Sequence, residues 1–589
     1  MPMNIPMHRV KYTDLTKEQI AQKLKTADDG PKSASELSGV LSGRTLKIVT
    51  DKDLTLNYEF QGKNRLTLSE NGGARIQAGY GALTIKQGVV FSHTIPGAQK
   101  GYNVFVDLEN DLATVFEVWL SSGRKELTRG GKEITVEDRE VQREMYFGYV
   151  EAAGKKPPET RHHPTNRIEG TGVYWKQDTG IETLELYASV SSVNFVEMTR
   201  HADNLSFCSP SDYIRLDNNL FIHSRSECEF SGIYTMFVMD LFTPAAQAGV
   251  RFGFNENDEL EYYMFRGKGE IVGRLAALEP FDEHGRVSLL VQTPGRPFIT
   301  GKGQRMTYRP VREFTHMTDE QVHEAALKNT TAFGGGSPDA PQLGMASNAL
   351  PFTDKLAGKE FTLRYDRGGP VRRYRFRDKY KLSYRNDGET VWQEADYRCY
   401  EGDENLFFFS HLIIDSKPRA SVQVVVDFTN GLTTCINSRM GTPYYGNETT
   451  YYAAFGVMEM PGINAPQYIR HEHTSDLVGS AISWSYSDQT TSMHLFPSPN
   501  TMSWTIFTGD QTRGTQWSSP CIMIKLRPMI YLFCQNEEAC NGAQMCELFN
   551  LKIMRGSGFG FSGGERGVNL GLVGALGRFI GKYDIAKLY

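Results

Sequence analysis

The chain repeats itself, and no other feature of its 589 residues limits the fold as strongly. Arg161-His162-His163-Pro164-Thr165, closing on Gly170, returns as Arg470-His471-Glu472-His473-Thr474, closing on Gly479. At nearly the same spacing of about 310 residues, Trp175 falls on Trp484, Leu186 on Leu495, Tyr187 on Phe496 and Phe195 on Trp504. Ser209-Pro210 falls on Ser519-Pro520 and Glu227 on Glu537. Upstream, Phe91-Ser92-His93 matches Phe409-Ser410-His411, and Val106-Asp107 with Asn110 matches Val426-Asp427 with Asn430. The spacing drifts between these matches, which puts insertions in loops. A leading helix repeats too: Thr16 with Gln19 and Thr318 with Gln321 each spell a capping box. Each half therefore reads as a helix followed by two modules.

Within a module the pattern is β. Leu54, Leu56, Tyr58 and Phe60 alternate with polar residues, as do Phe361 with Leu363 and Tyr374 with Phe376. Period-two alternation puts one face inside and one outside. Asn71-Gly72-Gly73, Asp387-Gly388 and Asn430-Gly431 supply turns between the runs. Short strands at such spacing predict a mainly β chain of tandem antiparallel barrels, four modules in all, with short leading helices. The expected boundaries are an arm over 1–37, barrels over 38–150 and 151–316, a capped helix and Gly-rich linker over 317–350, and barrels over 351–462 and 463–589. Gly334-Gly335-Gly336-Ser337-Pro338 makes the linker read as flexible.

Composition excludes several function classes. Lys+Arg 64 against Asp+Glu 69 leaves a charge of −5, with no basic surplus for nucleic acid. No apolar run approaches the ~20 residues of a membrane helix, so no membrane partner is expected. Met1 to Lys11 lacks the apolar core of a secretory signal, and eight cysteines form no dense framework. Cytoplasmic localisation is the expectation. Cys534, Cys540 and Cys546, six residues apart, fit inward strand positions better than a zinc site, so no metal is expected.

The candidate residues come from the repeat. Gly558-Phe559-Gly560-Phe561-Ser562-Gly563 spells G-x-G-x-x-G, but its repeat partner Phe252-Gly253-Phe254 reads as a strand, and Gly567 to Gly577 is a poor helix. No nucleotide cofactor is expected from it. The Arg-His element is either a solvated loop or a site in which His471 or His473 titrates near neutrality. His93 and His411 follow the apolar runs Gly88–Ser92 and Leu406–Ser410 and belong either to a core or to a lumen. His494 matches Glu185 on the strand after the tryptophan. Glu227 and Glu537 close hydrophobic strands, either as exposed strand ends or as lumenal carboxylates whose pKa would be raised. Asp107 and Asp427 read as hairpin-turn formers.

The run from Arg470 to Gly479, with Trp484, His494, Trp504 and Glu537, resembles the C-terminal domain of the molybdenum cofactor biosynthesis protein F (MoaF) family. Leu356-Ala357-Gly358-Lys359-Glu360-Phe361-Thr362-Leu363, with Tyr374-Arg375-Phe376 and Val426-Asp427, is similar to its N-terminal domain. The resemblance covers most of 351–589 and extends more weakly over 38–280. It implies calycin-like, lipocalin-type barrels in two fused copies, a group holding both carriers of small apolar ligands and cofactor-free enzymes. On that analogy the expectation is a cofactor-independent lyase, hydratase, decarboxylase or isomerase acting on a small aromatic or polyketide-like molecule. His471 or His473 would be the base and Glu537 or His494 the acid. Arg470 would hold an anionic group, and Trp484, Trp504, His411 and Tyr397 would line the pocket. The copy-one counterparts are Arg161, His162, Glu227 and His93. That copy departs at Pro164 and Glu185, so the expected arrangement is one working half and one structural half, with the functional barrel left open. A carrier and an accessory protein of molybdenum cofactor metabolism are the alternatives, and a homodimer stays open.

Overall fold

The computed structural model describes residues 12–13, 15–120, 124–129, 132–138, 141–189, 192–199, 204, 206–227, 232–242, 244–255, 257–275, 320, 324, 330–335, 337–413, 416, 419–440, 449–507, 516–537, 543–564 and 567–589. Their strands close into four antiparallel eight-stranded barrels. The first runs from Thr45–Thr50 to Val141–Val150, the second from Thr171–Gln177 to Leu260–Arg274. The third runs from Glu360–Tyr365 to Thr449–Glu459, the fourth from Ser480–Ser487 to Gly567–Lys582. Each is an up-and-down meander closed by pairing of its first and last strands.

Side-chain alternation decides which face is lumen. In Thr55–Phe60, Leu56, Tyr58 and Phe60 are buried while Thr55, Asn57 and Glu59 are not. Gly88–Thr94, by contrast, is buried throughout, because its second face meets another barrel. Val90 and Phe105 of the first barrel pack with Met236, Val250 and Met264 of the second. Phe408 and Val425 of the third pack with Leu532, Leu548 and Phe559 of the fourth. Leu184, Leu186 and Val196 of the second meet Ala481, Leu495 and Tyr583 of the fourth. Contacts thus run first, second, fourth, third. Each fully buried Leu or Phe in these seams contributes about 1.5–3 kcal/mol of transfer free energy.

The joint between the second and fourth barrels is polar at its middle. Ser192 bonds Gln516, and the Ser206 amide donates to Thr501 Oγ1 at 3.1 Å. Ser192 and Thr501 head equivalent strands, as do Ser206 and Gln516, so the two contacts are related by an approximate two-fold axis. Such self-complementary pairing is the mark of an isologous interface.

The predicted first helix forms over Lys17–Leu24, its capping box closed by Thr16 and Gln19, and buries Ile20 and Leu24 between the first two barrels. The second capped leader, Thr318 with Gln321, lies outside the described residues. The segment expected to be a loose linker is instead held on the fourth barrel: Thr330–Ala332 pairs with Val568–Leu570, and Phe333 is buried against Phe559. Apolar Phe333, Ala346 and Leu350 override the glycines. Cys534 and Cys546 face each other across a strand pair, outward into the third–fourth seam rather than into the lumen; Cys540 lies outside the described residues. Among the described residues, no His, Cys, Asp and Glu gather as a metal site, and no helix is long and apolar enough to cross a membrane.

Candidate functional site

The repeated Arg-His element is a strap between barrels. Arg470 grips Asp366 with two bonds of 2.8 and 3.0 Å, and Arg161 meets Asp51 at 3.1 Å. His471 Nδ1 lies 2.8 Å from Thr434 Oγ1, and His162 Nδ1 lies 2.8 Å from Thr114 Oγ1. Both imidazoles are buried, which pulls their pKa down to about 4. His473 is exposed against the edge of Phe455. His471 is thus buried in the strap against Thr434 while His473 points to its exposed side. His494 lies in the fourth lumen, 3.2 Å from Tyr486, its pKa drawn to about 3 by burial. Trp484, stacked on Phe549, and Trp504 share that core. The side chain of Glu537 lies outside the described residues. His411 stands in the third lumen at 3.2 Å from Tyr374, and Tyr397, in the same core, donates to the Asp378 carbonyl. His93 stands in the first lumen at 3.1 Å from Tyr58.

Among the described residues, an almost wholly buried ionisable cluster lies in the second barrel. Glu182–Leu186 sends Leu184 and Leu186 outward to the fourth barrel, so Glu185 between them points in. Leu220–Ser226 likewise places Ile222 outside and His223 and Arg225 inside. Glu185 Oε1 accepts from Arg225 at 2.5 Å, and its Oε2 accepts from the Tyr187 hydroxyl at 2.7 Å. The same Oε2 is 3.4 Å from His223 Nδ1, and His223 Nε2 is 3.3 Å from Ser211 Oγ. Phe237 and Tyr213 stack on the two faces of His223, and Phe195 lies 4.0 Å under the Arg225 guanidinium. Glu227, Arg251 and Glu261 continue the chain of charge outward, with the two carboxylates 13 % exposed.

Burial alone would raise the Glu185 pKa, but Arg225, His223 and Tyr187 outweigh it and leave it below the ordinary carboxylate value. Burial lowers the His223 pKa, partly opposed by Glu185. The Tyr187 hydroxyl, buried beside that carboxylate, is pushed far up and stays a donor. A carboxylate close to one ring nitrogen, with the other nitrogen facing a hydroxyl, is an arrangement from which a histidine can act as a general base. The departure at Glu185, expected to mark a structural half, is the centre of the cluster.

Ser211, His223 and Arg225 are the residues that sequence reasoning passed over. Following the repeat through the paired strands puts Cys521, Phe533 and Gln535 at their positions in the fourth barrel. That exchange of polar for apolar or neutral residues at inward positions was the available signal.

Comparison with known proteins accounts for the second half. Residues 341–442 match the MoaF N-terminal domain and residues 471–582 the MoaF C-terminal domain. The chain is two fused MoaF-like copies. Its third and fourth barrels are thus the MoaF pair, and the first and second repeat that pair in the same order. A solved structure of a protein of unknown function from the DUF3598 family of Nostoc punctiforme PCC 73102 is similar at 11% identity, covering 39% of this chain and 94% of that one, with a TM-score of 0.19. No curated protein matches.

Proposed function

We propose that the chain works by cofactor-independent acid–base chemistry on a small aromatic or polyketide-like molecule, and that the second barrel is where it does so. The observation that carries this reading is the relay Glu185–His223–Ser211, built wholly from inward strand positions and anchored by Arg225. His223 Nε2 takes a proton from carbon or oxygen, Glu185 stabilises the imidazolium through Nδ1, and the Tyr187 hydroxyl keeps the carboxylate in place. Rigid strands hold all of these, as efficient proton transfer requires. The reaction class is a lyase, hydratase, decarboxylase or isomerase step.

Native mass spectrometry of the chain from its own cells, followed by denaturation, identifies any bound small molecule. That molecule is then returned to the intact protein in deuterated water. Deuterium uptake or a mass change with the native chain, lost in His223→Gln, supports the reading. A molecule recovered unchanged makes the chain a carrier. An empty protein with a co-purifying macromolecule makes it an accessory factor.

A further inference from the structure

The mouths of the first and third barrels carry the same architecture and opposite charge. In the first, Lys100 lies between Glu70 and Glu117 at 3.1 Å from each, one cation enclosed by two carboxylates. The strand registers carry these positions to Ala420, Asn386 and Asn437 in the third barrel. Both carboxylates have become amides and the lysine is gone. A cation enters elsewhere: Leu56, fully buried in the first barrel, corresponds to Arg372, only 8 % exposed.

Arg372 donates through Nε to Asn386 Oδ1 at 3.0 Å and through Nη1 to Tyr374 at 3.5 Å, and Tyr384 lies beside it. Among the described residues no carboxylate pairs with it. Glu389, exposed on the hairpin beyond, feels the Arg372 charge without reaching ion-pair distance and is bound by the backbone and side-chain amides of Asn386. On the same inward face the Asn437 Nδ2 is buried without an acceptor. Tyr452, paired with Asn437 in register and on an inward position, is 45 % exposed. A guanidinium taken out of water without a counter-charge is unfavourable unless an anion completes it. The fold does not require it. The first barrel keeps the neighbouring Tyr58–His93 pair, equivalent to Tyr374–His411, with a leucine at this position.

We infer that the mouth of the third barrel is a binding site for a small aromatic carboxylate, its anionic group held by Arg372 and Asn437 and its ring set among Tyr374, Tyr384 and Tyr452. Arginine presents a planar fork that suits a carboxylate, and tyrosine rings suit a flat ligand. This site is separate from the second-barrel relay and does not depend on the function proposed there.

The test is calorimetric titration of the full chain with benzoate, 4-hydroxybenzoate and cinnamate, with benzamide as the neutral control. At least one acid binds and benzamide does not. Arg372→Leu and Asn437→Glu, each importing the first barrel's residue, weaken that acid at least tenfold, and Arg372→Lys falls between. His223→Gln in the second barrel leaves the affinity unchanged. Without ligand, Arg372→Leu raises the melting temperature, whereas a merely structural guanidinium would lower it. Absence of binding by all three acids, equal binding of benzamide, or unchanged affinity in both Arg372→Leu and Asn437→Glu overturns the inference.

Discussion

Histidines carry most of the chemistry that was visible in this chain, and burial decides what they do. His93, His162 and His471 are held at about 4, and His411 and His494 at about 3, by removal from water. Below pH 6.5 the unfolded chain binds protons that these folded sites refuse. Their contribution to stability is therefore complete above pH 6.5 and is lost as pH falls toward 4 and then 3. Each costs up to about 1.4 kcal/mol per pH unit over that window. Urea unfolding followed from pH 7 to pH 4 should show a steep loss, and His411→Gln should make it shallower by one proton. The relay histidine gives a different readout. His223 must be unprotonated to accept a proton, and its pKa lies below the ordinary value. Turnover of the substrate should rise through the acidic range and level off by neutrality, without the alkaline-side onset of an unshifted lysine or tyrosine. The element Arg470-His471 was prominent in the sequence because it repeats, but repetition marks whatever both copies need. Here that is an attachment between barrels, so Arg470→Ala should cost about 0–1 kcal/mol, as for an exposed ion pair, and leave turnover intact.

Strands were legible wherever one face met solvent and the other a lumen. Leu56, Tyr58 and Phe60 announced their own orientation. The runs Gly88–Thr94 and Leu406–Ile413 did not, since burial on both faces erases the alternation, and with it the knowledge of which residue sees the interior. This is why Cys534 and Cys546 were assigned to the wrong side, and why His223 and Arg225, on the wholly buried strand Leu220–Ser226, drew no notice. Seams also hold charge. Arg143 of the first barrel reaches across to Asp212 and, at 3.1 Å, to Ser226 of the second, with both ions almost wholly buried. Arg143→Ala should destabilise by about 3–5 kcal/mol because it strands Asp212, and Asp212→Ala added to it should recover part of the loss. The glycine motif behaves as strand packing. A Cβ on Gly558 would stand 2.0 Å from the Cys546 carbonyl oxygen. Gly558→Ala should therefore lower stability by roughly 1–3 kcal/mol, read by thermal unfolding, with no effect on affinity for a nucleotide.

At the scale of the molecule, the duplication fixed the order of barrels along the chain but not their order in space, because no local pattern says which apolar faces meet. The central joint is formed by second and fourth barrels, and most of its contacts join one half of the chain to the other. Residues 1–316 and 317–589 expressed as separate polypeptides in one cell should co-purify. Either alone should self-associate through Leu184, Leu186 and Val196 or through Ala481, Leu495 and Tyr583. Size-exclusion chromatography with light scattering distinguishes these outcomes from two soluble monomers. The approximate two-fold axis through Ser192–Gln516 and Ser206–Thr501 carries a historical implication. A polypeptide of half this length would close on its own twin across that axis, and every substitution would then appear in both chambers together. Joining the twins end to end removes that tie. Afterwards one chamber can acquire Glu185 while its sister acquires His494, and one can keep Leu56 while the other admits Arg372. Covalent fusion is thus what allows four similar containers to hold four different contents.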